Sequence, residues 1–154
     1  MFREYLVLEI QISALEAEQF LLSAKGPGGD ARVVFTLPLA DATYQALAAR
    51  LDRLDVDETA LEQLGQALFH TLFQGSVKDL YARTQGKLSA DQGLRIILNI
   101  SPTAAEVAAL PWEFLYDPDH GPLALLDSPI VRFLPQPSAI PTLATALPLR
   151  VLLT

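Results

Sequence analysis

Leu94-Arg95-Ile96-Ile97-Leu98-Asn99-Ile100 is the most informative stretch of the chain. Leu94, Ile96, Leu98 and Ile100 share one face at the two-residue period of a strand, and Ile97 makes the opposite face partly apolar as well. A strand of this kind is buried on almost both sides and belongs inside a sheet. Downstream, Thr103 and Glu106 have the spacing of a capping box, in which a hydroxyl and a carboxylate satisfy each other's free backbone donors. The helix they open is expected to end near Leu110, because Pro111 disfavours helical geometry in the residue before it. Asp117-Pro118-Asp119-His120-Gly121 reads as a turn. Leu123 to Leu126 and Ile130 to Leu134 read as two short strands, the second sharing a mixed sheet with Leu94 to Ile100.

Upstream, Leu6, Leu8, Ile10 and Ile12 alternate with Glu9 and Gln11, which predicts a half-buried strand from Tyr5 to Ile12. Phe20 to Ala24 and Arg32 to Leu37 predict two more. Gly26-Pro27-Gly28-Gly29-Asp30 between them makes these two a hairpin. A phosphate-binding loop would need a helix N-terminus behind it, and here a strand follows. Asp41 is placed to cap a helix along which Tyr44, Leu47, Leu51 and Leu54 recur at helical spacing. Leu61, Leu64, Leu68 and Leu72, widened by Phe69 and Phe73, mark a second amphipathic helix. Gly75 interrupts it, and Val77, Leu80 and Tyr81 suggest a third, short one.

Composition narrows the function classes. The 154 residues are 51% hydrophobic and 19% charged, which excludes disorder and allows one domain with a real core. Eleven Lys and Arg among eighteen Asp and Glu give a net charge of −7. That balance is not the footprint of a nucleic-acid binder, nor of a protein that adheres to anionic membranes. There is no cysteine, so thiolate metal sites, disulfides and thiol catalysis are excluded within these residues. The absence fits a reducing compartment, and no signal peptide or membrane-length apolar run is legible, so the expected location is the cytoplasm.

Candidate chemistry is sparse. Asp52, Asp55, Asp57 and Glu58 lack the glycine and closing glutamate of a calcium loop, and read as a solvated helix connection. His70 lies on a helix and His120 in a turn, with no spacing that suggests a shared metal. Asp117 and Asp119 read as ordinary turn residues, and no Gly-x-Ser-x-Gly elbow occurs. Catalytic, cofactor-binding and metal-binding residues are therefore all expected to be none. The unusual segment is Leu110-Pro111-Trp112-Glu113-Phe114-Leu115-Tyr116-Asp117-Pro118, which holds the only tryptophan. Trp112 is expected to anchor the core with Glu113 accepting a buried hydrogen bond, a role compatible with a docking surface nearby.

From Pro135 to Pro148 the chain carries four prolines and no charge, the mark of a stiff, extended connector. Leu149-Arg150-Val151-Leu152-Leu153-Thr154 then has the composition of a buried strand.

This order of motifs resembles the N-terminal part of bacterial CHAT-domain proteins, caspase-like cysteine peptidases of the clan that includes separase. The resemblance rests on Leu68-Phe69-x-x-Leu72-Phe73, Gly75 to Tyr81, Gly93 to Ile96, Leu110 to Pro118, Ile130 to Leu134 and Pro148 to Leu152. It is good from about Leu61 to Thr154. It implies that Leu149 to Thr154 begins the caspase-like fold, whose catalytic histidine and cysteine lie further on, so no catalytic residue carries over to this chain. The expectation is an α+β fold: an N-terminal β-hairpin or meander, a helical middle and a mixed sheet in a module at 1–134. A proline-rich linker at 135–148 and the first strand of a missing caspase-like domain at 149–154 follow. Leu110, Pro111, Trp112, Glu113, Arg132 and Arg150 form the structural and docking motif. The expected function is a non-catalytic regulatory or scaffolding module that packs against the peptidase domain of the same polypeptide. Other proteins or a second copy are further partners, and no cofactor, nucleic acid or membrane is expected. The alternatives are a stand-alone interaction adaptor and a small hydrolase using His70, His120 and carboxylates.

Overall fold

The computed structural model describes residues 4–16, 18–125 and 128–133. Three strands open the chain: β1 (Glu4–Glu16), β2 (Gln19–Gly26) and β3 (Gly29–Thr36). They form an antiparallel meander. Gly26 pairs with Gly29, leaving Pro27 and Gly28 as the two-residue turn of the expected hairpin. Gly29 has φ of +116°, a conformation only glycine adopts freely.

The helical middle follows as α1 (Ala42–Asp52), α2 (Glu58–Leu72) and α3 (Gly75–Gln85). Asp41 caps α1 as expected, its Oδ1 accepting from the Tyr44 N–H at 2.8 Å. Asp57 does the same for α2 through the Ala60 N–H at 2.8 Å, so one member of the acidic cluster is a cap. Hydrogen bonds from the Ala60 N–H and from Arg50 hold the Asp57 carboxyl below its ordinary value. Leu54 departs from its expected place on the apolar stripe of α1. It lies just past the helix end with φ of +55°, and 87% of it is exposed. The helix stops two residues short of it at Asp52, so the stripe ends at Leu51.

Strand β4 (Gln92–Ile100) returns beside β1, parallel to it, pairing Leu6 with Leu94 through Ile12 with Ile100. A 3-10 turn at Pro102–Ala104, the one-turn helix α4 (Ala105–Ala108) and a second 3-10 turn at Trp112–Phe114 lead away. The capping box is not formed. Ser101 caps this entry, accepting from the Thr103 N–H, and the Thr103 hydroxyl faces Ser101 and the Ala14 N–H of β1. Pro102 starts the 3-10 turn early, which shifts the helix past Thr103. The short strands β5 (Tyr116–Asp117) and β6 (Gly121–Pro122) flank the expected turn. Leu123–Leu125 is a 3-10 turn rather than the expected strand, with Leu123 buried and Leu125 exposed. Strand β7 (Ile130–Phe133) closes the sheet, parallel to β4.

The fold is thus α+β, with one five-stranded mixed sheet in the order β3-β2-β1-β4-β7. The meander and the mixed sheet expected from sequence are a single sheet, because β1 pairs with β2 on one side and β4 on the other. Leu8, Ile10, Ile12, Phe20, Leu22, Phe35, Leu94, Ile96, Leu98 and Ile100 face the helices and join one core with Leu64, Leu68, Leu72, Val77 and Leu80. Both parallel crossovers run over this same face, since Trp112, Leu115 and Leu123 belong to that core too. Among the described residues no helix is long and apolar enough to cross a membrane. The proline-rich connector and the strand at Leu149–Thr154 lie outside the described residues.

Candidate functional site

The segment from Leu110 to Asp117 is built around Trp112. Its side chain is fully buried, and its Nε1–H donates to the Val107 carbonyl at 2.8 Å, which ties the turn back to α4. A buried indole needs such a partner for its single polar group. Leu110 and Leu115 are buried beside it. Helix α2 approaches this segment so closely that a Cβ on Gly65 would sit 2.0 Å from the Phe114 carbonyl oxygen. Gly65 is therefore the point of contact between the helical middle and the tryptophan turn.

Arg132 reaches the same turn from the sheet. Its register opposite Leu98 directs it to the helical face, where Nη1 donates to the Ala108 carbonyl and Nη2 to the Leu110 carbonyl, both at 2.9 Å. Nη2 also donates to Glu113 Oε2. A guanidinium fork suits this task because it meets several acceptors in one plane. The two carbonyls terminate α4, where a cation also complements the helix dipole. Glu113 differs from expectation: it is exposed and its hydrogen bond is the surface ion pair with Arg132. Of the expected docking motif, Leu110 and Trp112 are interior, Pro111 is half-buried, and Glu113 and Arg132 meet at the surface. Arg150 lies outside the described residues.

A second polar cluster lies beside the turn. Asp117 is not a solvated turn residue, as only 2% of it is exposed. Its Oδ2 accepts from the Tyr81 hydroxyl and meets His120 Nδ1, each at 2.8 Å, and its Oδ1 accepts from the Asp119 N–H at 2.9 Å. Burial pushes its carboxyl up, but these donors outweigh burial and hold it below the ordinary value. Burial drives the Tyr81 phenol upward; Gln85 opposes this and the Asp117 carboxylate adds to it. Sequence reasoning missed the pair because Tyr81 and Asp117 lie 36 residues apart. The only signal was a tyrosine on the buried face of α3, whose hydroxyl must find a partner.

The histidines do not converge. His70 is exposed at the end of α2, edge-on to Phe69, whereas His120 belongs to Asp117. No group of three or more metal-ligating side chains is assembled among the described residues. Compared with protein-family models, curated proteins and solved structures, the chain matches none.

The remaining surface of note is the sheet's open face. Register places Val7 beside Arg95, Ile97 between Glu9 and Val131, and Asn99 between Gln11 and Phe133. Val7, Val131 and Phe133 are 38%, 43% and 55% exposed. Arg95 stacks over the Tyr5 ring at 4.8 Å. Towards β3 the face becomes polar, with a depression lined by Glu9, Gln11, Ser23, Lys25, Asp30 and Arg32. Beyond β4, strand β7 is the sheet's last strand, so its outer backbone groups have no ladder partner among the described residues.

Proposed function

We propose that this chain is a non-catalytic regulatory or scaffolding module of a CHAT-type, caspase-like cysteine peptidase of the bacterial cytoplasm. It packs against the peptidase domain that follows it in the same polypeptide. The observation that carries this reading is the outer edge of β7, which has no ladder partner among the described residues. The edge belongs to a parallel pair, a type of pairing that proteins normally bury within larger sheets. It is braced from behind by the Arg132 clasp on the tryptophan turn, so it is a firm surface on which to dock. It ends at Phe133, one residue short of the connector at 135–148 that leads to Leu149–Thr154. Unpaired edges attract further strands or covering elements. The likeness of Leu110–Pro118 and Pro148–Leu152 to the peptidase family supplies the identity of that element. The missing cysteine agrees with a supporting role for these residues, since the thiol nucleophile has to come from elsewhere.

The test begins with the reading frame beyond Thr154. A continuation that encodes a histidine and then a cysteine, each after an apolar strand, is expected. In that longer polypeptide, slowed hydrogen exchange in β7 relative to the 154-residue chain supports docking at the edge. A stop codon, or a continuation without the pair, overturns the reading and leaves an interaction adaptor.

A further inference from the structure

The sheet's open face carries two unbroken rows of side chains across all five strands. Strand pairing sets Arg32, Ser23, Gln11, Asn99 and Phe133 in one row, running from β3 to β7. The adjacent row, two residues away on each strand, is Asp30, Lys25, Glu9, Ile97 and Val131. Both rows are charged at the β3 end and apolar at the β7 end, where Val131 and Phe133 are exposed. An apolar patch over parallel strands is a surface that proteins normally cover.

We propose that a second copy of this chain covers this face, the two sheets stacking about a two-fold axis that runs across the strands between the two rows. The contact uses the face of the sheet, so it stands apart from the peptidase reading, which uses the edge of β7.

Self-complementarity is the main argument. A two-fold contact is isologous, so the axis fixes which residue meets which. This axis lays each row over the other row of the copy. Arg32 then faces Asp30 of the copy and Asp30 faces its Arg32, giving two ion pairs at the charged end. Gln11 faces Glu9, an amide donor against a carboxylate, and Ser23 faces Lys25. At the other end Phe133 faces Val131. No like charges are opposed, which matters because such oppositions are what reject a wrong partner. An axis along the strands would instead lay β3 over β7 and press Arg32 and Asp30 onto Phe133 and Val131, burying charge without a partner.

The charges concerned are available. Arg32 and Asp30 are exposed, and neither belongs to an ion pair among the described residues. The balance of charge also favours a copy over a strongly charged foreign partner. The two rows pair Arg32 and Lys25 with Asp30 and Glu9, although the chain as a whole carries −7. Repulsion between two acidic copies is therefore least where these faces meet.

Size sets the expected strength. Five strands about 4.8 Å apart, each contributing about five residues, offer about 400–500 Å² of plan area per copy. The pair then buries about 1,000 Å², the lower end of specific interfaces, so the dimer is weak.

Sedimentation equilibrium of the 154-residue chain tests this. A monomer–dimer equilibrium with a Kd of about 1–100 µM is expected. Arg32→Glu and Asp30→Lys each oppose like charges twice per dimer, and each is expected to raise Kd at least tenfold. Mixed in equal amounts, the two variants complement each other, and the heterodimer is expected to recover the parent's affinity. Phe133→Ser probes the apolar end and is also expected to raise Kd at least tenfold, with Trp112 emission still that of a buried indole. A parent that stays monomeric up to about 500 µM overturns the proposal. So does a dimer whose Kd is unmoved by Phe133→Ser or by the charge variants, or a mixture that stays monomeric.

Discussion

The hydroxyl of Tyr81 on α3 donates to Oδ2 of Asp117 at 2.8 Å, joining the helical layer to the β4–β7 crossover through a buried pair. Gln85 Nε2 donates in turn to the Tyr81 oxygen at 2.8 Å, so the phenol is held from both sides. Tyr81→Phe keeps the ring and removes the donor to a buried carboxylate. A loss of about 1–3 kcal/mol is expected from leaving such a group short of a partner. Urea unfolding followed by Trp112 fluorescence measures it, and an unchanged midpoint would show that the bond contributes nothing.

The same carboxylate sets an acid limit to stability. The folded pKa of Asp117 is depressed, so its contribution is complete above the unfolded value of about 3.9. It is lost as pH falls through that value and on through the lower folded one. Asp117→Asn should be less stable than the parent at neutral pH, and the gap should narrow on acidification. Tyr81 gives the opposite limb. Its folded pKa is raised, so its contribution is complete below about pH 10 and is lost as pH rises further. Denaturant midpoints measured across pH for Tyr81→Phe and the parent should converge at the alkaline end.

Trp112 is fully buried with its one polar atom satisfied. Trp112→Ala is expected to cost about 3–5 kcal/mol, the range for emptying a large aromatic site. Trp112→Phe should cost less, with the Val107 carbonyl left without its donor. Thermal melts by circular dichroism rank the three proteins, and a Trp112→Ala melt within a degree or two of the parent would contradict the core role.

Gly65→Ala separates helix propensity from packing. Alanine is the better helix former by about 1 kcal/mol. Against this, the new methyl would meet a backbone carbonyl at 2.0 Å, and backbone cannot rotate away. Packing is expected to win, with a net loss of about 1–3 kcal/mol typical of overfilled sites. A stabilised variant in chemical denaturation would mean that α2 and the tryptophan turn separate without cost.

Arg132→Lys tests the clasp. A single ammonium cannot take the positions of both guanidinium nitrogens on the Ala108 and Leu110 carbonyls. Faster hydrogen exchange is expected for amides in β7 and the β4 residues paired with it, while β2 and β3 keep their protection. Uniform protection across the sheet would show that the four-residue ladder holds β7 unaided.

Much of this architecture was legible because strands and amphipathic helices announce themselves by period. The seven-residue run from Leu94 and the stripe from Leu61 to Phe73 needed only local reading. What failed was decided by single residues competing for one backbone position. Pro102 starts its own turn and takes Thr103 out of the capping box. Leu54 has the right spacing for α1, but the helix has already ended at Asp52. Leu123–Leu125 is apolar enough for a strand, yet it turns as a 3-10 helix that buries Leu123 and leaves Leu125 exposed. The site was half legible. Tryptophan at a helix break signals a core anchor, whereas the Arg132 clasp and the Tyr81–Asp117 bond join residues far apart in sequence and leave no local trace.

The parallel pairing of β1 with β4 also has a consequence for the chain as it emerges from the ribosome. β1 ends at Glu16, but its second neighbour begins only at Gln92. At roughly 5–20 residues per second, several seconds pass between the two. Throughout that interval the nascent meander presents Leu8, Ile10 and Ile12 on an open edge, with the helices that shield them still being made. The order of synthesis thus makes β1 the first element complete, yet one that waits through three helices for its second neighbour. Partner capture by nascent-chain chaperones should therefore concentrate before β4 is translated.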